Sequence, residues 1–402
     1  MNSVAQLHNL RNDFPLLQKR KVVYFDNACT TLKPKQVIDA VNAYYSEYSG
    51  CAGRSVHKIS RETEAAFEGA RKKIADFIGA NEHETVFTRN TTEAINLVSK
   101  SLDFSKRKKV VLTNMEHHSA LLPFQVLKTA GKIDLEFVTA DEEGLVCAEG
   151  FEEKIDSKTR LVVVHHTTNT TGTTAPMAEI AKIAHDNGAL VLVDGAQGVP
   201  HYPVNVKKLG VDFLGFSGHK MLGPTGIGGL YARKELLEEM PPFIVGGETV
   251  THVSLESCVF EKPPHKFEGG IQHYAGAIGL AAAVDYLKKA GMHRIEEHEK
   301  KLAKKLIGGL LAVDGARVYG PGDPAKKCAL VAFNVKKIDP REVALMLNEH
   351  GIAVRSGFFC AEPAMRHMNA PHGAARASLY LYNTEEEIDQ FLSTLAKIAK
   401  LA

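Results

Sequence analysis

The chain has 402 residues, of which 44% are hydrophobic and 24% charged, and a formal net charge of +2. That length can bury a large core and suits about two domains. Near-neutral charge gives no electrostatic case for nucleic acid or an anionic membrane surface, and no apolar run reaches the length of a membrane span.

Met1 to His8 lack a basic segment followed by an apolar core, so no secretory leader is expected. From residue 20 to 235, short apolar strands alternate with amphipathic helices. Val37, Val41, Tyr44 and Tyr48 fall on one helical stripe. So do Phe67, Ile74 and Phe77 or Ile78, with Gly79 closing that helix. Strands are predicted at 85–88, 109–113, 135–138, 161–165, 190–194, 212–216 and 227–232, mostly separated by helical patterns such as 177–185. Apolar strands with helical crossovers predict a mainly parallel α/β sheet.

Near residue 245 the texture changes. Gly246-Gly247-Glu-Thr and Phe267-Glu-Gly-Gly270 read as loops around a segment whose structure the pattern leaves open. Helices follow at 274–290 and 293–311, then a strand at 329–335 and a helix at 341–350. Strands near 352–355 and 377–381 and a last helix from Glu385 complete a compact α+β unit. The six cysteines (Cys29, Cys51, Cys147, Cys258, Cys328 and Cys360) are far apart with no Cys-x-x-Cys spacing. That argues against a disulfide framework or zinc ribbon and for a cytoplasmic protein with reduced thiols.

Leu190-Val-Leu-Val-Asp194 reads as a buried strand ending in a lone carboxylate, at the end where open α/β sheets bind ligands. Phe216-Ser217-Gly-His219-Lys220 then places a lysine in a polar turn after another apolar run. A lysine that bonds to a carbonyl cofactor must sit at a fixed point and lose its proton readily, and a partly desolvated turn allows both. The acid can hold a pyridine nitrogen protonated, which makes that ring an electron sink. Singly these are an ordinary strand-end Asp and a surface Lys. As an ordered pair they point to a pyridoxal-phosphate enzyme.

Other segments carry two readings each. Asn90-Thr91-Thr92-Glu93 is a helix cap, or a phosphate site of hydroxyls at a helix N-terminus to which Ser217 and His219 add donors. Met115-Glu-His117-His118-Ser119 holds a structural His, or an imidazole lying over a flat cofactor. Adjacent side chains diverge, so neither this pair nor His165-His166 suits a metal. Gly223 to Gly229 lacks the P-loop lysine and precedes a strand, so it reads as a tight loop. Cys360 follows Phe358 and Phe359 as buried packing, or as an exposed nucleophile in a short loop. Arg376 is a surface arginine or a clamp for a carboxylate.

In combination and order, these motifs resemble the class V aminotransferase-fold family, and within it the Suf-type cysteine desulfurases and selenocysteine lyases. The resemblance runs from Val23-Tyr-Phe-Asp-Asn-Ala28 to Tyr382-Asn-Thr384. It implies the α/β fold of type I pyridoxal-phosphate transferases. The large, mainly parallel seven-stranded sheet domain would span residues 20–268, and a smaller α+β domain would combine residues 1–19 and 269–402. The cofactor it implies is pyridoxal 5'-phosphate. The reaction is cleavage of the C–S bond of L-cysteine to alanine, with a persulfide on Cys360 for sulfur transfer.

The family's cofactor lysine falls on Lys220, its pyridinium partner on Asp194 and its ring-hydroxyl ligand on Gln197. The stacking imidazole falls on His117, and the phosphate ligands on Thr91, Thr92, Ser217 and His219. Asn169 matches a residue near ring and substrate, Arg376 the carboxylate clamp, and Arg54 a residue near the neighbouring subunit's site. The resemblance further implies a homodimer, a protein sulfur acceptor and a place in iron–sulfur cluster assembly, with no resident metal.

Three segments depart from the family pattern. Arg355-Ser-Gly-Phe-Phe-Cys360 replaces Arg-x-Gly-His-His-Cys, exchanging two imidazoles for phenyl rings that would desolvate the thiol. Phe267-Glu-Gly-Gly-Ile271-Gln272 replaces Phe-Glu-x-Gly-Thr-Pro and drops a hydroxyl that reaches the partner subunit's cofactor. Asn27-Ala-Cys29-Thr30 puts a second thiol at the expected mouth of the site. These departures keep other class V activities open: a selenocysteine lyase, a β-lyase or an aminotransferase. A non-catalytic assembly scaffold and an iron site on Cys29, Cys51 and Cys360 are the readings outside that class.

Overall fold

The computed structural model describes residues 10–53 and 55–401. Its large sheet contains β1 (Thr85–Thr88), β2 (Lys109–Thr113), β3 (Asp134–Val138), β4 (Thr159–His165), β5 (Leu190–Asp194), β6 (Phe213–Ser217) and β7 (Gly228–Ala232). The spatial order is β1-β7-β6-β5-β4-β2-β3. Only β7 runs antiparallel to its neighbours; every other adjacent pair is parallel. All the strands expected before residue 235 therefore join one mainly parallel sheet.

Both faces are buried, which is why the strands read as unbroken apolar runs. Val162, Val164, Val191 and Val193 join one core, while Leu161, Val163 and Leu192 join another on the opposite face. The first core receives side chains from the helices Lys58–Phe77, Met177–Asp186 and Tyr274–Ala290. The second is closed by helices Thr91–Ser101 and His118–Thr129. Helix Tyr274–Ala290 also lies directly on helices Lys35–Glu47 and Lys58–Phe77. Gly228 lies so close to the β6 backbone that an added Cβ would collide with the Phe216 carbonyl oxygen.

A second sheet is four-stranded and wholly antiparallel: β8 (Ala316–Tyr319), β9 (Leu330–Val335), β11 (Ala374–Ser378) and β10 (Arg355–Gly357), in that order. Helices Met292–Leu311, Pro340–Glu349 and Glu385–Ala399 back it.

Here the sequence pattern was less faithful. The strand expected at 377–381 lies at Ala374–Ser378 instead. Its alanines carry little strand propensity, whereas the bulky run Leu379–Tyr382 that suggested the strand is buried non-strand chain. The strand expected near 352–355 divides: Ile352–Ala353 pairs in parallel with Val23–Tyr24, and Arg355 begins β10. Strand β8 and a hairpin of Val250–Val253 with Cys258–Phe260 were not foreseen.

The topology sets the site. The C-terminal ends of β1, β4, β5 and β6 lie on one side of the large sheet. The small sheet brings β10, β11 and the loop after β10 against that side.

Candidate active site

At these strand ends lies a cavity of about 230 Å³ whose lining includes Asp194, Lys220, His117, Arg376, Cys360 and Cys29. Asp194 closes β5, and its Oδ1 accepts the Ala196 N–H at 2.9 Å. Burial raises its pKa against the pull of the Lys220 charge. Lys220 ends the short turn Gly218–Lys220 directly after β6. Burial lowers its pKa, opposed by Asp194. A buried acid and a half-buried amine thus face one space, each partly offsetting the other's desolvation.

His117 caps helix His118–Thr129, and its Nδ1 accepts the Ser119 N–H at 3.0 Å. Burial, then the neighbouring charge of Lys220, lowers its pKa to about 3. It is a neutral, flat ring at neutral pH. His219 behaves likewise, lowered to about 4 by burial and then by Lys220 and Lys33.

Helix Thr91–Ser101 opens under its Asn90 cap, whose Oδ1 accepts the Glu93 N–H at 3.0 Å. Ser217 Oγ accepts the Thr91 N–H at 2.9 Å and lies 2.7 Å from Thr91 Oγ1. Thr92 Oγ1 lies 2.7 Å from Ser119 Oγ. Hydroxyls from three segments therefore gather at one helix N-terminus, a place whose dipole and free N–H groups favour an anion. Ser119 had no role in the sequence reading; only its nearness to His117 pointed to it.

Arg376, on β11, is 3% exposed. Its Nη1 donates to the Asn169 carbonyl at 2.7 Å, and its Nη2 lies 3.5 Å from Asp26 Oδ1. Burial lowers its pKa. Asn169 Nδ2 in turn donates to the Phe359 carbonyl at 2.6 Å. Gln197 Nε2 donates to the Ala28 carbonyl at 2.8 Å. Gln197 Oε1 and Arg376 Nε are buried with no hydrogen-bond partner among the described residues. Open polar atoms beside an acid, an amine and a neutral imidazole fit a ligand with a phosphate, a ring nitrogen and a carbonyl carbon. Pyridoxal phosphate has all three.

Cys360 is exposed. Phe359 (φ 55) and Cys360 (φ 56) are both left-handed, a costly backbone for two successive residues other than glycine. The Cys360 carbonyl accepts the His118 N–H at 2.7 Å, which ties the loop to the segment carrying His117. The expected phenyl shield over the thiol is absent. Phe359 is buried with its ring 4.7 Å from the Arg376 guanidinium carbon, and half-buried Phe358 lies 5.7 Å from that of Arg366. The left-handed turn sends the rings to those cations and leaves the thiol in the open.

Cys29 is half-buried on the same cavity, its Sγ 3.8 Å from Arg355 Nη1. Arg355 also lines the cavity, a place the sequence reading did not give it. Ile271 and Gln272 line a different recess, with Phe67 and Arg89. Arg54 lies outside the described residues. Among the described residues, no three or more His, Cys, Asp or Glu side chains gather to hold a metal, Cys29, Cys51 and Cys360 included.

Comparison with known proteins agrees with this geometry. The sequence profile described as Aminotransferase class-V matches residues 23–391. A probable cysteine desulfurase of Halalkalibacterium halodurans is 43% identical over 398 residues, covering 97% of each chain. The apo structure of a cysteine desulfurase from Thermococcus onnurineus superposes with a TM-score of 0.95 at 42% identity, covering 98% of each chain. A C-DES mutant with glycine covalently linked to its pyridoxal-phosphate cofactor superposes with a TM-score of 0.85 at 25% identity, covering 96% of this chain and 98% of the other.

Proposed function

The chain belongs to the aminotransferase class-V family, and we infer that it is a pyridoxal-phosphate-dependent cysteine desulfurase in which Lys220 moves the proton and Cys360 takes the sulfur. One observation carries this reading: a half-buried amine, a buried acid, a neutral imidazole, a buried arginine and an exposed thiol share a single cavity.

Pyridoxal phosphate, when bound, supplies an aldehyde that bonds to amines and a ring that draws electrons from the attached carbon. Thr91, Thr92, Ser217 and His219 would hold its phosphate, Asp194 its ring nitrogen, Gln197 its hydroxyl and His117 its face. Arg376 clamps the substrate carboxylate and, with Asn169, keeps the C–S bond aligned for cleavage. Lys220 Nζ, whose pKa burial lowers, takes the proton from the α-carbon. The Cys360 thiolate attacks the substrate sulfur; an S–S bond forms as the C–S bond breaks. The carbon skeleton takes up one proton at Cβ and, from Lys220, one at Cα and leaves as alanine, and Cys360 keeps the sulfur as a persulfide.

A homodimer, a protein sulfur acceptor for iron–sulfur cluster assembly and a cytoplasmic location belong to the same reading. The exposed apolar side chains Val245, Leu255, Val259 and Ile271 support a second copy, whose site Arg54 would approach. No helix of the described residues is long and apolar enough to cross a membrane.

The test is to incubate purified protein with L-cysteine, measure alanine, sulfide and pyridoxamine, and map added sulfur by mass spectrometry. Alanine in step with sulfur on the Cys360 peptide is expected. Pyridoxamine in place of alanine would make the protein an aminotransferase. Sulfur mapped only to another cysteine would remove Cys360 from its role.

A further inference from the structure

His165 ends β4 as Asp194 ends β5, and the two are register partners across a parallel pair. Partners in adjacent strands point to the same face, with the strands about 4.8 Å apart. His165 is buried and lines the cavity. Its Nδ1 lies 2.9 Å from Oε1 of Glu116. That same oxygen accepts the His165 backbone N–H at 3.2 Å and the Thr113 hydroxyl at 2.7 Å. Glu116 is 1% exposed, and its Oε2 has no hydrogen-bond partner among the described residues. It is also the residue before His117. One turn after β2 therefore offers an imidazole to the cavity and a carboxylate to the imidazole behind Asp194.

Two buried carboxylates thus share a neighbourhood with one imidazole. In a low-dielectric interior, such a pair repels until one carboxyl takes up a proton. A protonated Asp194 would no longer hold a pyridine nitrogen protonated. The groups acting on Asp194 are Lys220, the Ala196 N–H, His165 and Glu116; Glu116 disfavours its ionised form and His165 favours it. The contact between His165 Nδ1 and Glu116 Oε1 offsets that repulsion at the strand end next to Asp194.

We propose that Glu116 and His165 are positioning residues for Asp194: Glu116 fixes the His165 ring through Nδ1, and His165 offsets the Glu116 charge so that Asp194 stays ionised at the cofactor's ring nitrogen. This rests on the assignment of Asp194 given above. The competing account is that Thr113, Glu116 and His165 only staple the turn after β2 to β4.

The test uses holoenzyme loaded with pyridoxal phosphate carrying ¹⁵N in the ring, and reads the nitrogen chemical shift alongside kcat and KM. Asp194→Asn is the reference: its nitrogen must move to the unprotonated position. If it does not, the Asp194 assignment itself is wrong. His165→Gln keeps a donor toward Glu116 but removes the imidazole. Its nitrogen should move part of the way, with kcat down roughly tenfold and KM nearly unchanged.

Glu116→Gln added to His165→Gln removes the orphaned carboxylate and should restore much of the shift and of kcat. A mere staple would be weakened further by the second change. An unshifted His165→Gln nitrogen, or a double variant no better than the single, overturns the proposal. Should His165→Gln fail to fold or bind cofactor, the double variant decides: restored binding with a protonated nitrogen supports the proposal, and failure overturns it.

Discussion

Lys220 stands immediately after β6, in a turn whose His219 carbonyl accepts the Thr31 N–H at 2.9 Å, the Thr30 hydroxyl at 3.1 Å and Lys33 Nζ at 3.1 Å. Cys360 instead stands in an exposed loop built on two successive left-handed residues. The amine sits on the rim of a parallel sheet and the thiol on a strained arm, placements that suit the different tasks proposed for them. A proton carried to and from one carbon needs a fixed base. A sulfur collected inside the cavity and delivered outside it needs a group that solvent and an acceptor can reach.

The largest effects should separate these two ends. Lys220→Ala is expected to lower alanine formation by roughly 10³-fold or more while leaving the fold intact by thermal melting. Near-normal turnover in that variant would deny Lys220 its role as base. Cys360→Ala breaks the other half. It should keep the visible absorbance of bound cofactor yet lower sulfur transfer from cysteine by about a hundredfold or more. A variant that still releases alanine and sulfide at the parent rate would show that the thiol does not attack the substrate sulfur.

Phe359 joins the two ends. Its carbonyl accepts from Asn169, and its ring lies 4.7 Å from the Arg376 guanidinium carbon. Phe359→Ala should raise KM for cysteine roughly tenfold, within the range of a desolvated cation–π contact, and change kcat less. An unchanged KM would mean that the ring does not orient Arg376.

The same contrast decides what the sequence could reveal. Strand ends are legible because a buried parallel strand writes its length in apolar residues, and the next polar residue is the one it delivers. Asp194, Ser217 and Lys220 were readable in this way. The Cys360 loop was not. Nothing in Phe358-Phe359-Cys360 announces left-handed backbone, since neither residue 359 nor 360 is glycine, and so the direction of the phenyl rings could not be inferred. Ser119, Arg355 and the Glu116–His165 contact were hidden for a different reason. Each depends on two segments meeting across the sheet, and hydrophobic periodicity does not report such meetings. Strand β11 was displaced because its alanines are silent where Leu379–Tyr382 is loud.

The smallest expected effect concerns acid, and it should strike the sheet-end region before the thiol loop. Burial lowers His117 to about 3, and His166 and His219 to about 4, from an ordinary value of 6.5. Above pH 6.5 these groups are neutral both folded and unfolded, so they contribute nothing to the pH dependence there. Below it the unfolded chain takes up protons that the folded chain refuses. Stability is therefore lost as pH falls from about 6.5 toward 4, by at most ~3 kcal/mol for His166. The raised carboxyls of Asp194 and Glu299 act in the opposite direction, so the wild-type slope alone is not diagnostic. His166→Asn isolates one imidazole. Thermal melting of the cofactor-free protein should show wild type losing more stability than this variant across that interval. Hydrogen exchange at pH 5 should rise around His117, His166 and His219 before it rises at residues 355–360. Parallel melting curves for the two proteins, or earlier exchange in the Cys360 loop, would mean that water reaches these rings freely enough to protonate them without opening the fold.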